Sequence, residues 1–176
     1  MAKMSNVVIK SVRAAFKEQK KVMQKAEVAA LNRAAKTALS RTIRLIRQKY
    51  NLKAKDIREQ TKVIRANRNN TKVEIRVANK AIGLIKFGAR QTKKGVTAAE
   101  QKGRRKTYPN AFIAVAKAGG QAVFIRKTKK RLPIKEMFGP TAMQLFSSKK
   151  ASDELEKIFY ERFKIEFERA LAHFSK

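Results

Sequence analysis

The sequence predicts an α+β fold: a long N-terminal helix, a small, mostly antiparallel sheet with a long basic loop, and a C-terminal amphipathic helix. Three observations carry this prediction. No Gly or Pro occurs before Gly83, so nothing punctuates the first stretch of chain. Apolar residues then change from helical to alternating spacing across residues 61–77, as a half-buried strand requires. Finally, the last quarter returns to a helical stripe rich in Phe.

The elements follow in order. Over residues 5–50 the stripe runs through Val8, Val12, Ala15, Val22, Ala26, Ala29 and Ala30, then Leu31, Ala34, Ala35, Ala38, Leu45 and Ile46. Its many Ala residues allow a neighbouring helix to approach closely. A single helix of about 40 residues would span about 60 Å, long enough to reach into an oligomer. A helix-break-helix satisfies the same pattern, and the two readings stand side by side. Asn51 is a cap or break, and residues 52–60, with Asp56 and Glu59, read as a short helix.

Val73, Ile75 and Val77 alternate with Glu74 and Arg76. Residues 61–66 are the partner strand, and 67–70 have turn composition. Residues 82–87 read as a third strand. Residues 111–116 and 122–126 flank Lys117-Ala118-Gly119-Gly120-Gln121, a hairpin signal because glycine takes positive φ readily. Gly139-Pro140 is read as a turn into the apolar segment 141–146. In the last helix, Leu155, Ile158, Phe159, Phe163, Phe167, Ala170, Leu171 and Phe174 form one stripe. Ser152 or Asp153 is its expected cap, and Asp153 to Glu156 has capping-box spacing. The 176 residues suit one domain with a real core, or two small ones. They are read as one, with a helix over 1–50, a basic sheet-and-loop core over 61–135 and a packing helix over 151–174.

Charge divides the chain sharply. Lys and Arg number 44 against 13 Asp and Glu, a formal net charge of +31. Residues 136–176 hold seven acids and seven bases, so the whole excess lies in residues 1–135. Six of the ten Phe fall in the neutral quarter, which marks it as the packing part and the remainder as the working part. Such an excess calls for a polyanion or a strongly acidic partner.

Several classes are excluded or disfavoured. The absence of Cys removes disulfides, thiolate metal sites and cysteine nucleophiles and fits a reducing compartment. His173 is the single His, too few for a multi-His metal site. Neither a metal nor a cofactor is expected. No apolar run approaches a membrane span, and the N-terminus lacks a signal-peptide block. Asp56 and Glu59 sit among bases and read as solvated ion pairs, not an acid/base dyad. Ser40, Ser147 and Ser148 lack a nucleophile-elbow context, and no Gly-rich phosphate cradle occurs. No catalytic residues can be named, and the chain is read as not an enzyme.

Residues 88–108 read as the long loop, and carry Arg90, Lys93, Lys94, Lys102, Arg104, Arg105 and Lys106 against Glu100 alone. A loop of about twenty residues is uncommon unless functional or disordered. Arg126, Lys127, Lys129, Lys130 and Arg131 form a second cluster. These twelve residues are the candidate nucleic-acid contacts, since crowded bases repel one another until phosphates replace their counterions. A solvated loop that keeps a basic protein soluble is the plainer reading. Aromatics are nearly absent from both clusters, with Tyr108 at the edge of the first, which disfavours a base-stacking groove and favours contact with a duplex backbone.

One further pattern lies in the order of short pieces. Leu31-Asn32-Arg33-Ala34-Ala35 is followed by 63–66 and the strand through Ile75. Then come Ile85-Lys86-Phe87-Gly88-Ala89-Arg90, Pro109-Asn110-Ala111-Phe112-Ile113-Ala114, Phe124-Ile125-Arg126 and Arg131-Leu132-Pro133-Ile134. Together with the basicity, this order resembles the minor tail protein Z family of long-tailed, non-contractile phages and prophages, over nearly the whole chain. The Pro-Asn-Ala-Phe-Ile and Arg-Leu-Pro-Ile pieces also resemble the wider group of phage tail-completion proteins.

The resemblance implies a non-enzymatic virion protein, made in the host cytoplasm, at the head-proximal end of the tail. It implies a homo-oligomeric ring, expected to be a hexamer, that joins tail to head and holds the DNA end. The implied neighbours are the tail terminator, the C-terminal end of the tape-measure protein and the head-tail connector proteins, with no membrane. Basic residues from Arg90 to Lys106 would then face the lumen. The alternative is a free, sequence-nonspecific nucleic-acid-binding protein, chromatin-like or ribosome-associated.

Overall fold

The first 48-residue run free of helix breakers folds without interruption. In the computed structural model of the chain, α1 spans Ala2–Lys49 as one helix, about 72 Å at 1.5 Å per residue. The structure describes all residues except Met1, Lys117, Ala118, Lys127, Lys129 and Arg131, with backbone alone over 2–12. After α1 come α2 (Ala54–Arg58), β1 (Thr61–Ile64), β2 (Glu74–Val77) and β3 (Ala81–Gly83). A 3₁₀ turn at Leu84–Phe87 leads to β4 (Arg90–Thr92), β5 (Gly95–Gln101) and β6 (Arg104–Pro109). The chain then runs through β7 (Ala111–Val115), β8 (Gln121–Arg126), β9 (Ile134–Glu136) and β10 (Phe138–Thr141). It closes with α3 (Ala142–Phe146) and α4 (Lys149–Phe174).

The class is therefore α+β, with long helices at both ends and small antiparallel sheets between them. Among the described residues the strands form four sheets: β1-β2, β10-β3, β4-β5-β6 and β7-β8-β9. Two compact units share these elements. One comprises Met1–Leu39, Val63–Ile75 and Glu156–Lys176, the other Ser40–Lys62 and Arg76–Leu155.

In the first unit the Ala stripe of α1 is buried at Ala26, Ala30, Ala34, Ala35 and Ala38, as are Ala66, Ile158 and Ala170. Asn32 fastens α1 to the chain after β1 through both backbone groups of Ala66. Gln24 Nε2 donates to the Arg68 carbonyl at 2.6 Å. The turn at 67–70 forms as expected, with Asn67 Oδ1 accepting from the amides of Asn69 and Asn70. On α4, buried Glu166 meets Arg162 at 2.9 Å, Arg169 at 3.5 Å and Arg33 of α1 at 3.6 Å. Phe159, Phe163 and Phe167 stack along the helix at 6.3 and 5.6 Å.

The second unit has the larger core: Ile43, Ile46, Ile57, Leu84, Phe87, Val96, Val123 and Leu145 are all buried. Asn51 ends α1 as expected. Its amide donates to the Glu100 carbonyl at 3.1 Å and its side chain to the Phe87 carbonyl at 3.3 Å. The Lys102 amide donates to the Lys49 carbonyl at 2.9 Å, which satisfies one of the orphan carbonyls at the helix end. Gly119 and Gly120 take positive φ between β7 and β8, and the turn residues Lys117 and Ala118 lie outside the described residues.

Four expectations need correction. Residues 88–108 are not a loop but the antiparallel sheet β4-β5-β6, because Val96 and Ala98 alternate into the core while the charge sits on turns and edges. Residues 82–87 form only the end of β3 and then a 3₁₀ turn, which carries Leu84 and Phe87 inward. Gly139-Pro140 lies within β10 rather than in a turn. There Gly139 is needed for close approach, since a Cβ would sit 2.5 Å from the Phe87 ring. The capping box is at Thr141 and Gln144, opening α3. Because α4 begins at Lys149, Ser152 and Asp153 lie inside it.

Candidate nucleic-acid interface

Register decides which bases of the first cluster meet. Arg90 stands opposite Thr97, and Thr97 opposite Thr107. Side chains alternate along β6, so Arg105 shares the Arg90 face, whereas Arg104, Lys106 and Tyr108 share the other. Lys93 and Lys94 form the β4–β5 turn, and Lys102 lies in the β5–β6 turn. The two turns are at opposite ends of a seven-residue strand, about 20 Å apart. The residues contiguous in sequence therefore divide between two faces and two ends.

Their bonding divides them further. Arg105 Nη1 donates to the Gly88 carbonyl, the Thr97 carbonyl and Thr97 Oγ1, each at 3.2 Å. It ties β6 to β5 and to the turn before β4. Lys106 lies 5.3 Å from the centre of the Tyr108 ring. The Tyr108 hydroxyl donates to Glu100 at 2.6 Å. Partial burial, reinforced by Glu100, pushes the Tyr108 phenol up to about 12. By contrast Arg90, Lys93, Lys94, Lys102 and Arg104 are exposed, and among the described residues their side chains have no hydrogen-bond or ion-pair partner. Among the described residues β6 pairs only with β5, and bases along such an edge also discourage pairing with another chain.

In the second cluster Arg126 lies over the Phe112 ring at 4.7 Å, and Phe112 meets Phe124 at 6.0 Å. Strand pairing of Phe112 with Phe124 thus brings a second, sequence-remote aromatic to Arg126, beside Phe124 two residues before it. Lys130 is exposed. Lys127, Lys129 and Arg131 lie outside the described residues.

The acids behave as ion-pair partners. Lys86 Nζ lies 2.8 Å from Asp56 and 3.4 Å from Glu59, and the hydrogen bond to Asp56 raises the Lys86 pKa. His173 packs edge-on against Phe174. Among the described residues no group of three or more His, Asp or Glu could hold a metal. No helix among them is long and apolar enough to cross a membrane.

A second basic surface was not foreseen from the sequence. Asn32, Arg33, Lys36, Val63 and Arg65 line a cleft of about 360 Å³ in the first unit. The i, i+3 spacing of Arg33 and Lys36 and the alternation of Val63 with Arg65 were legible. That the helix face and the strand face oppose each other was not.

No solved structure matches the chain. The chain is similar to the "Tail completion protein" of Escherichia phage N15, 27% identical over 146 residues covering 79% of this chain and 78% of that protein. The sequence profile of the family described as "Prophage minor tail protein Z (GPZ)" matches residues 9–174. A match of that extent shows that the chain belongs to the prophage minor tail protein Z (GPZ) family.

Proposed function

We propose that this protein completes the head-proximal end of a phage tail as a ring, joining the tail to the head and positioning the DNA end through basic residues that face the channel. Family membership gives the chain a structural role in a phage tail, and with it a place in the virion among other tail proteins. The DNA-directed part is supported by one observation above all: Arg90, Lys93, Lys94, Lys102 and Arg104 are exposed and unpaired among the described residues. Repeated around a ring, of six copies in this reading, those charges would bracket the channel and demand a polyanion within it. The tail terminator, the tape-measure C-terminal end and the head-tail connector proteins are its proposed neighbours. The role is structural, with no chemistry to perform.

The same unpaired bases would serve a free, sequence-nonspecific nucleic-acid-binding protein, and the test separates the two readings. Arg90→Glu and Arg104→Glu are introduced together into the encoding phage, leaving the sheet-bonded Arg105 in place. Particles that assemble with tails but retain or eject DNA abnormally are expected. Complete particles with normal DNA positioning would remove the channel assignment. A particle reconstruction locating the chain anywhere but the head-proximal end would remove the ring reading.

A further inference from the structure

We infer that the cleft lined by Arg33, Lys36 and Arg65 is a second nucleic-acid site, one that takes phosphodiester groups of duplex DNA. The inference rests on the DNA-directed reading of the charge given above, and moves part of the contact into the other unit of the molecule.

Three cations from two elements converge there: Arg33 and Lys36 from α1, and Arg65 from the chain just after β1. No acid lines the cleft. The Lys36 and Arg65 side chains have no hydrogen-bond or ion-pair partner among the described residues. Arg33 reaches only Glu166, at 3.6 Å, and that carboxylate already serves Arg162 and Arg169. Three guanidiniums share one negative charge, so the local field stays strongly positive.

The backbone segments that carry these cations are held together. Asn32, itself in the lining, bonds both backbone groups of Ala66 at 2.9 Å and so fixes the residue next to Arg65. Gln24 holds the Arg68 carbonyl at 2.6 Å. Fixing the backbone positions before binding lowers part of the ordering cost of taking an anion there. Phosphodiester suits the cleft better than the carboxylates of an acidic protein segment. Guanidinium forks match phosphate oxygens, and counterion release drives the contact without apolar burial. A protein segment would need an apolar anchor, and Val63 is the only apolar side chain in the lining.

The test uses the full-length protein and a short random-sequence duplex, with binding followed by fluorescence anisotropy across a salt series. Lys36→Gln with Arg65→Gln, both exposed and outside the Asn32 clamp, is compared with Arg90→Gln plus Arg104→Gln. If each cleft cation contacts one phosphate, the cleft double variant lowers the magnitude of the log–log salt slope by about 1.8, at 0.9 per contact. Each single variant lowers it by about half that, which serves if the double variant melts early. An unchanged slope, with the sheet variant reduced, overturns the cleft and leaves the sheet reading standing. A wild-type protein that does not bind duplex DNA overturns both. Loss of polyglutamate binding without loss of DNA binding assigns the cleft to an acidic protein and overturns the inference.

Discussion

Asn32 holds Ala66 from both sides: its Nδ2 donates to the Ala66 carbonyl and its Oδ1 accepts from the Ala66 amide, each at 2.9 Å. A side-chain amide thereby stands in for a neighbouring strand, satisfying the backbone of a residue that is only 5% exposed. The two partners lie 34 positions apart, in two of the pieces that carry the family resemblance.

Replacing Asn32 by Ala leaves both Ala66 groups without partners. Stability should fall by about 1–3 kcal/mol, a drop in Tm of about 2–4 °C per kcal/mol in a chain of this size. Asn32→Asp keeps an acceptor for the Ala66 amide but sets a carboxylate oxygen against the Ala66 carbonyl, so it too should fall below wild type. Thermal melts of the three proteins check the order; equal Tm values would show that water replaces the clamp at no cost.

Gly139 and Phe87 form a second close pair. A Cβ on Gly139 would lie 2.5 Å from Phe87 Cε2, and Phe87 is fully buried. Gly139→Ala must push the ring into a packed core, costing about 1–3 kcal/mol. The same change at Gly103 meets no atom within 4 Å and bears only the strain of φ +77, about 1–2 kcal/mol. Urea titration of Gly139→Ala alone and with Phe87→Leu separates the two costs. Partial rescue by the smaller residue is expected at position 139 and none at position 103.

Tyr108 should titrate late. Its phenol is pushed from 10 to about 12, first by burial and then by Glu100. The folded state therefore keeps a proton that the unfolded state releases near pH 10. This contribution to stability is complete below pH 10 and is lost as the pH rises toward 12. In an ultraviolet titration Tyr108 should ionise near pH 12. Glu100→Gln should bring it part of the way back, with burial holding the remainder; a full return to 10 would make Glu100 the sole cause.

Arg104 and Arg105 are neighbours with different duties. Arg105→Ala removes two hydrogen bonds to Thr97 of β5 and one to the Gly88 carbonyl before β4 and should cost about 1 kcal/mol, because the group is exposed. Arg104→Ala should leave stability within about 0.5 kcal/mol yet weaken DNA binding. Denaturant midpoints and duplex affinities measured on both variants test this division. Equal destabilisation would show that Arg104 also has a structural role.

The legible parts of the fold were those written locally. The α4 stripe and the Asn67 turn depend on neighbours within a few residues. So does the α3 capping box, for Thr141-Ala142-Met143-Gln144 has the required spacing. Residues 88–108 are different. Their alternation is confined to Val96 and Ala98 and hidden by charged turns, and their partners are set by strand register. Phe112 beside Arg126 was missed on the same grounds.

By itself, the sequence determined that no thiol or multi-histidine chemistry is present, that all the net charge precedes Glu136, and that the closing helix is amphipathic. These follow from residue identity and short-range period. Tertiary structure alone decided that residues 2–49 form one helix, that Arg105 is bonded while Arg104 has no partner among the described residues, and that Arg33, Lys36 and Arg65 share a cleft. Whether a base is available to a partner depends on which carbonyl or carboxylate stands near it, and that distance is set by pairing between residues remote in the chain.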